Sequence, residues 1–215
     1  MVSGNPDLST ISGAALVTTG GGLPRLLENS PSIGTSLLEG LAASGLTQGS
    51  ANLETFLSIA QGTVDSGDPL NFASLYSTTG TPVYLNEIYG DASDQSTRDQ
   101  TIPIAADTLY GGDYTGPLND ALPAPLAGTE PLINGIGATS ITTLGATATD
   151  AGVVRFTAGS HNTIIQPADA TETAVFTQMM TNIASFFGSI VGGGPAAVSI
   201  SDTTYVKTNE PADDI

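Results

Sequence analysis

The 215-residue chain has no cysteine and only four lysine and arginine residues. Without cysteine, disulfide bonds and thiolate metal sites are excluded. The four basic residues are outnumbered by 21 aspartate and glutamate residues, and the formal net charge at pH 7 is −17. A field of this sign repels nucleic-acid phosphates and anionic membrane surfaces. We therefore expect no nucleic acid among the partners.

Long apolar runs and a leader sequence are also missing. No run of 18 apolar residues predicts a membrane span, and Met1 is not followed by the basic and apolar stretches of a signal peptide. Strong acidity with few lysines is common in exported proteins. We expect a secreted or cell-surface protein whose signal lies outside this chain. The hydrophobic content of 40 % is enough to bury a core.

The single histidine, His161, follows a short apolar segment. Residues 153–158 predict a buried strand, which ends in a turn at Gly159. Imidazole can change charge near neutral pH, so a loop at the end of a strand is a suitable place for a general base. The alternative is a structural histidine with no part in chemistry.

An amphipathic helix is predicted after the histidine. Asp169 and Glu172 have the spacing of a capping box, in which the aspartate accepts from the first free amides. Apolar residues then recur at helical spacing on one face: Val175, Met179, Ile183 and Phe186. A strand, a loop and a helix thus form one unit around His161.

The first third of the chain is predicted to be largely helical. Residues 11–17 are expected to form a strand or a buried segment that stops at Gly20 to Gly22. Helices are then expected to begin at Ser30, near Ser50 and at Asp68, where serine or aspartate can cap the free amides. The helix at Ser30 would end at Gly45. Three leucine-rich helices are consistent with a cap over a cleft, and equally with a plain helical subdomain.

An acidic loop follows the clearest strand. Residues 82–90 are β-branched and aromatic, which predicts a strand. The polar stretch after it carries Asp91, Asp94 and Asp99, whose spacing is not that of an EF-hand, so a solvated loop is favoured over a calcium site. Beyond this loop, the pattern predicts short helices near 103–109 and 129–136 and strands at 141–149 and around Val198. The last few residues are expected to be frayed.

The acidic loop and the histidine loop are expected to meet. In a parallel α/β sheet, catalytic groups gather beyond the carboxyl ends of the strands. A carboxylate that accepts from one imidazole nitrogen fixes the tautomer and leaves the other nitrogen free to deprotonate a hydroxyl. An acid followed along the chain by a histidine is also the order found in α/β-hydrolases. We therefore expect an acid–histidine pair in one crevice.

Several motifs carry a closer resemblance. They are distributed over about residues 10–188 and comprise 16–22, 26–30, 65–71, Gly90-Asp91, 99–103 and Gly159-Ser160-His161. In these motifs the chain resembles the C-terminal half of bacterial extracellular lipases of the virulence-associated, surface-lipoprotein type. The resemblance implies an α/β fold with a mostly parallel sheet flanked by helices, and a Ser-Asp-His triad with His161 as base and Asp99 as acid. Asp91 is the alternative acid.

The resemblance also implies a division of the chain. Residues 1–22 would be a core segment and 23–78 a helical cap or lid. Residues 79–190 would form the C-terminal hydrolase core with the acid and histidine loops, and 191–215 a C-terminal extension. No cofactor or metal is implied, and the substrate would be an acyl ester or lipid.

The nucleophile of the triad is missing from this chain. The G-x-S-x-G elbow that should precede the cap occurs nowhere in residues 1–215, and its nearest approach, 34–38, lacks the closing glycine. We expect the N-terminal half of the hydrolase, with the nucleophile serine, to be a separate chain or segment. The alternative is a non-enzymatic acidic surface or binding module.

Overall fold

The computed structural model describes residues 11–91, 94–106, 117–118 and 120–211. A four-stranded parallel sheet forms its centre, in the order β1-β2-β5-β3. These strands are β1 (Ala14–Val17), β2 (Val83–Ile88), β3 (Thr139–Ser140) and β5 (Ala151–Phe156). The expected α/β fold with a mostly parallel sheet is confirmed, and helices lie on both faces of the sheet.

The strand register follows from alternation of side chains across the sheet. Val83 of β2 is paired with Ala151 of β5, and Ile88 with Phe156. One face carries Tyr84, Ile88, Val154 and Phe156, and the opposite face carries Val83, Leu85 and Val153. Both central strands are buried almost throughout, because a parallel sheet covered on both faces must be apolar on both.

A helical segment connects β1 to β2. It contains α1 (Leu23–Asn29), α2 (Gly34–Ala42), α3 (Ala51–Val64), a 3-10 helix (Pro69–Leu75) and α4 (Tyr76–Thr79). The predicted caps at Ser50 and Asp68 are confirmed: Ser50 Oγ accepts from Leu53 N at 3.3 Å, and the Asp68 side chain accepts from Leu70 N at 3.0 Å. Leu38, Leu53 and Leu57 form a small core between the helices.

The predicted start at Ser30 is wrong. Ser30 ends α1, a helix that the sequence pattern did not predict, and α2 begins only at Gly34. The Ser30 hydroxyl still accepts from Ile33 N at 3.3 Å, so its capping chemistry serves the turn between the two helices. Gly45 lies in a turn with φ 81°, three residues beyond the end of α2.

Past the acidic loop, α5 (Thr129–Ile136) confirms the helix expected at 129–136. The helical piece near 103–109 is not found at 103–106, where the chain is extended and makes turns, and residues 107–109 lie outside the described part. The strand expected at 141–149 is shorter. It is β4 (Gly145–Ala148), which pairs antiparallel with β6 (Ala197–Ile200) outside the main sheet.

The long helix α6 (Ala170–Val191) begins at the predicted capping box, where Asp169 Oδ1 accepts from Glu172 N at 2.8 Å. Val175, Met179 and Phe186 pack on the sheet, as their spacing predicted. Contrary to our expectation, this helix is long and apolar enough to cross a membrane by length and composition. That is weak evidence for a membrane span, because its apolar face forms part of the core.

The C-terminal extension is attached to the sheet as far as it is described. Thr157 N donates to Tyr205 O and Lys207 N donates to Arg155 O, each at 2.8 Å. This segment therefore lies along β5 directly before the histidine loop. The fraying predicted for the last residues concerns 212–215, which lie outside the described residues.

Candidate functional site

Two loops meet at the carboxyl edge of the sheet. The acid loop, residues 89–106, follows β2, and the histidine loop, residues 157–166, follows β5. Because β2 and β5 are neighbouring parallel strands, both loops leave the sheet at the same edge. This edge is where parallel α/β sheets place their ligands and catalytic groups.

Gly90 directs the acid loop across the end of β5. Its φ is +71°, and its N–H donates to Phe156 O at 3.0 Å. A Cβ atom at this position would lie 2.6 Å from Arg98 N. Glycine is therefore required here for both its backbone conformation and its size, and the turn folds residues 97–99 back onto the strand end.

Asp99 makes three hydrogen bonds to backbone groups. Its own N–H donates to Ile88 O at 3.2 Å, and its Oδ1 accepts from Thr101 N at 2.7 Å and Ile102 N at 3.0 Å. The side chain is only 4 % exposed. These contacts fix the orientation of the carboxylate and leave Oδ2 available for another partner.

That partner is His161. Its Nδ1 lies 2.9 Å from Asp99 Oδ2, and its side chain is 32 % exposed. Since an ionised carboxylate can only accept, Nδ1–H is the donor. Within the described part of the chain no group is hydrogen-bonded to Nε2, which is left to act on a hydroxyl. The expected contact between the two residues is confirmed; their catalytic roles remain a prediction.

The histidine loop is shaped by a buried threonine. Thr163 Oγ1 accepts from Ser160 N at 2.8 Å, and Thr163 N donates to Ser160 O at 3.1 Å. Gly159, with φ +126°, lies so close to the end of β2 that a Cβ would be 2.8 Å from Ile88 Cδ1. The turn that carries His161 is thus packed directly on the strand that precedes Asp99.

The other two aspartates of the acid loop have different contacts. Asp94 Oδ1 accepts from Ser96 N at 3.0 Å and from Ser96 Oγ at 2.7 Å, and so caps a short 3-10 turn. Asp91 is exposed, and its N–H donates to Thr97 Oγ1 at 2.7 Å. The structure thus brings Asp99 to His161, and neither the alternative acid Asp91 nor Asp94 takes that position. No group of three potential metal ligands is found among the described residues.

The helical segment reaches the acid loop at the turn between α1 and α2. Ser32 N donates to Gln100 O at 2.8 Å. Beside Asp99 lies a cavity of about 260 Å³, whose apolar wall includes Pro31, Pro103 and Ile104. The turn between α1 and α2, within the segment predicted as a cap, therefore contacts the loop that carries Asp99.

Three charged residues beneath the loops did not figure in the sequence interpretation. Glu87 and Arg155 lie in the two central strands, and Glu130 lies in the first turn of α5; all three are buried. A usable signal was present, since a glutamate and an arginine each interrupt a segment that is otherwise apolar. Buried charges are rare unless they are paired.

Comparisons of this chain with protein-family models, curated proteins and solved structures found no match, so the site's own geometry carries the functional argument.

Proposed function

We propose that this chain is the C-terminal portion of a serine-type ester hydrolase, a lipase or carboxylesterase, and supplies the acid and base of its triad. The observation that carries the proposal is the 2.9 Å contact between Asp99 Oδ2 and His161 Nδ1. The carboxylate is fixed by two backbone amides and the imidazole is partly exposed. One partner is thus immobile and buried while the other is accessible, as a general base must be.

The proposed chemistry follows from this arrangement. Asp99 holds the proton of neutral His161 on Nδ1, so Nε2 can take a proton from a serine hydroxyl as that oxygen attacks an ester carbonyl. The imidazolium that results is stabilised by the Asp99 carboxylate, and it then gives the proton to the departing alcohol. In the second half of the reaction, His161 takes a proton from water, the water oxygen attacks the acyl-enzyme, and the proton returns to the serine oxygen as the acid is released.

The topology supports the same proposal. Strands β1, β2 and β5 are consecutive in the sheet and parallel. A helical segment connects the first to the second, the acid follows the second, and the histidine follows the third. Acid before histidine in chain order is the arrangement of α/β-hydrolases. This supports the proposed assignment of the chain to the C-terminal part of that fold, with the helices as its cap.

The nucleophile would come from a partner. The chain has no G-x-S-x-G elbow, and no oxyanion loop is recognisable in it. Among the described strands none pairs with the outer edge of β1. Ala14 N and Thr18 N both donate toward β2, so the backbone groups of Ala15 and Val17 point to that outer edge. We propose that the N-terminal half of the hydrolase, as a separate chain or segment, pairs there and supplies the serine.

The substrate class proposed is an acyl ester or a lipid at the cell surface or outside the cell. The cavity beside Asp99 has an apolar wall and a volume of about 260 Å³. Ligand sites are mostly apolar with few polar groups. The strongly negative net charge opposes anionic substrates and favours neutral esters.

The test is an ester hydrolysis assay with a p-nitrophenyl ester. The chain alone should hydrolyse the ester no faster than background, and mixing with the polypeptide encoded directly upstream should produce turnover. That turnover should disappear with His161→Ala. Turnover by the chain alone would show that the nucleophile lies within it. No turnover in the mixture, although the two polypeptides bind each other, would favour a non-enzymatic binding module.

A further inference from the structure

A group of three buried charges lies beneath the acid and histidine loops. Glu87 is 2 % exposed, Glu130 1 % and Arg155 6 %. They come from β2, α5 and β5, and they meet on the face of the sheet that α5 covers. Two carboxyl groups thus face a single guanidinium group out of contact with bulk water.

Three N–H groups of the guanidinium group are hydrogen-bonded to Glu130 and Ser140. Arg155 Nε donates to Glu130 Oε1 at 2.5 Å, Nη2 donates to Glu130 Oε2 at 2.9 Å, and Nη1 donates to Ser140 Oγ at 2.6 Å. Glu87 Oε2 lies 3.1 Å from Nε. Nε carries one hydrogen, however, and this hydrogen points to Glu130. Neither oxygen of Glu87 therefore accepts a hydrogen bond.

A proton on Glu87 resolves this arrangement. A buried carboxylate without a donor is strongly unfavourable, and burial, followed by the negative charge of Glu130, raises the pKa of Glu87 well above its ordinary value. When protonated, Glu87 can donate to Glu130 and leave one negative and one positive charge in the group. Among the described residues, Glu210 is the other charged group paired with Arg155, at 3.9 Å, and β1 carries no titratable side chain.

Each of the three residues adjoins an anchor of the acid loop. Ile88, which follows Glu87, accepts from Asp99 N at 3.2 Å, and Phe156, which follows Arg155, accepts from Gly90 N at 3.0 Å. The amide of Glu130 donates to Ile104 O at 2.8 Å. Both ends of the acid loop are thus attached to backbone next to these three residues.

We propose that Glu87, Glu130 and Arg155 are positioning residues, which hold the acid loop where Asp99 meets His161 as long as the two glutamates share one proton. They contact no reacting atom in this proposal. Their importance for activity rests on the proposed function, but the contact that they control can be measured without any activity.

The first test compares stability in urea across a range of pH for wild type and Glu87→Gln. Glutamine is neutral and keeps a donor, so it reproduces the protonated form. Because the pKa of Glu87 is raised by folding, its contribution to wild-type stability is complete below the ordinary glutamate pKa of about 4.3 and declines as pH rises. The folded-to-unfolded ratio of E87Q relative to wild type should rise about tenfold per pH unit above that value, until Glu87 itself ionises.

Glu28→Gln is the matched control. Glu28 is also fully buried beside an arginine, but it accepts from Arg25 Nη1 at 2.7 Å and from Gln48 Nε2 at 3.3 Å. Removing its charge breaks a satisfied contact, so E28Q should be less stable than wild type at neutral pH. An E87Q protein that is no more stable than wild type at any pH would overturn the proposal.

The second test uses the ring of His161, the single histidine of the sequence, to report whether Asp99 stays in contact with it. The ¹⁵N shifts of the His161 ring report which nitrogen carries the proton. Wild type should hold the Nδ1–H form at neutral pH and lose it at alkaline pH, whereas E87Q should retain it. Identical pH responses would overturn the proposal. If E87Q does not fold, the pKa of the Glu87 carboxyl is measured by ¹³C NMR titration of the wild type. An ordinary glutamate pKa would overturn the proposal. A failed ester assay alters none of these results.

Discussion

Nδ1 of His161 lies 2.9 Å from Oδ2 of Asp99, although 62 residues separate the two in the chain. The contact joins two loops that leave neighbouring parallel strands at the same edge. A buried acceptor that is fixed by two amides selects one tautomer of the imidazole.

Asp99→Asn should abolish the preference of neutral His161 for a proton on Nδ1, because an amide can rotate to offer either a donor or an acceptor. The ¹⁵N shifts of the ring measure the change. If the proposed complex with a nucleophile-bearing partner hydrolyses esters, kcat should fall about 10⁴-fold, as for the equivalent substitution in a serine protease.

Asp94→Asn is the control for this prediction. Asp94 belongs to the same loop and caps a turn through Ser96, so its replacement should leave the tautomer of His161 unchanged. A shift in D94N as large as in D99N would mean that loop charge, rather than the direct contact, sets the tautomer.

Thr163→Val should loosen the turn that carries His161. The change removes the acceptor for Ser160 N while the side-chain volume stays nearly the same. A fully buried amide without a partner costs about 1–3 kcal/mol, and because Ser160 N is only partly buried the loss should lie near the lower end of that range. Thr163→Ser keeps the hydroxyl and should retain the turn. Hydrogen exchange of the Ser160 amide distinguishes the two variants, and equal protection in both would rule out a role for the hydroxyl.

Gly90→Ala should destabilise the protein more than Gly80→Ala. Both glycines have positive φ, +71° and +67°, so both substitutions strain the backbone by about 1–2 kcal/mol. At Gly80 no atom lies within 4 Å of the added Cβ, whereas at Gly90 the Cβ would collide with the backbone of 97–98. Urea denaturation of both variants gives the comparison. Equal losses of stability would show that the acid loop moves aside easily.

Asp68→Asn should lower stability at neutral pH by about 1–3 kcal/mol. The Asp68 carboxylate accepts from Gly22 N and Leu70 N at 3.0 Å and from Leu23 N at 2.9 Å. Although burial alone would raise its pKa, the hydrogen bonds from Gln61 and these amides lower it.

The pH dependence of this effect has a definite sign. A lowered pKa stabilises the folded protein above the ordinary aspartate pKa of about 3.9, and the contribution is lost as pH falls through the folded-state value. The stability difference between wild type and D68N should therefore shrink on acidification. A difference that grows at low pH would contradict the assignment of Asp68 as an ionised acceptor.

The sequence by itself determined the elements whose signals are local. Strands are predicted at 82–90 and 153–158 from β-branched, aromatic and apolar residues, and β2 and β5 are found there. The single histidine after a strand drew attention to the loop whose imidazole contacts Asp99. Ser50, Asp68 and Asp169 cap helices with their own side chains. In each cap the interacting groups lie within a few residues of one another.

Tertiary structure decided the features that depend on distant residues. Helix α1 has no local side-chain cap, because Asp68, more than 40 residues away, accepts from its first amides. Asp99 rather than Asp91 reaches His161 because the Gly90 turn folds the loop back over the end of β5. The charge of Arg155 is tolerated inside a strand because Glu130 arrives from α5 and accepts two hydrogen bonds from its guanidinium group. Sequence shows that such groups are present, and only the packed fold brings each one to its partner.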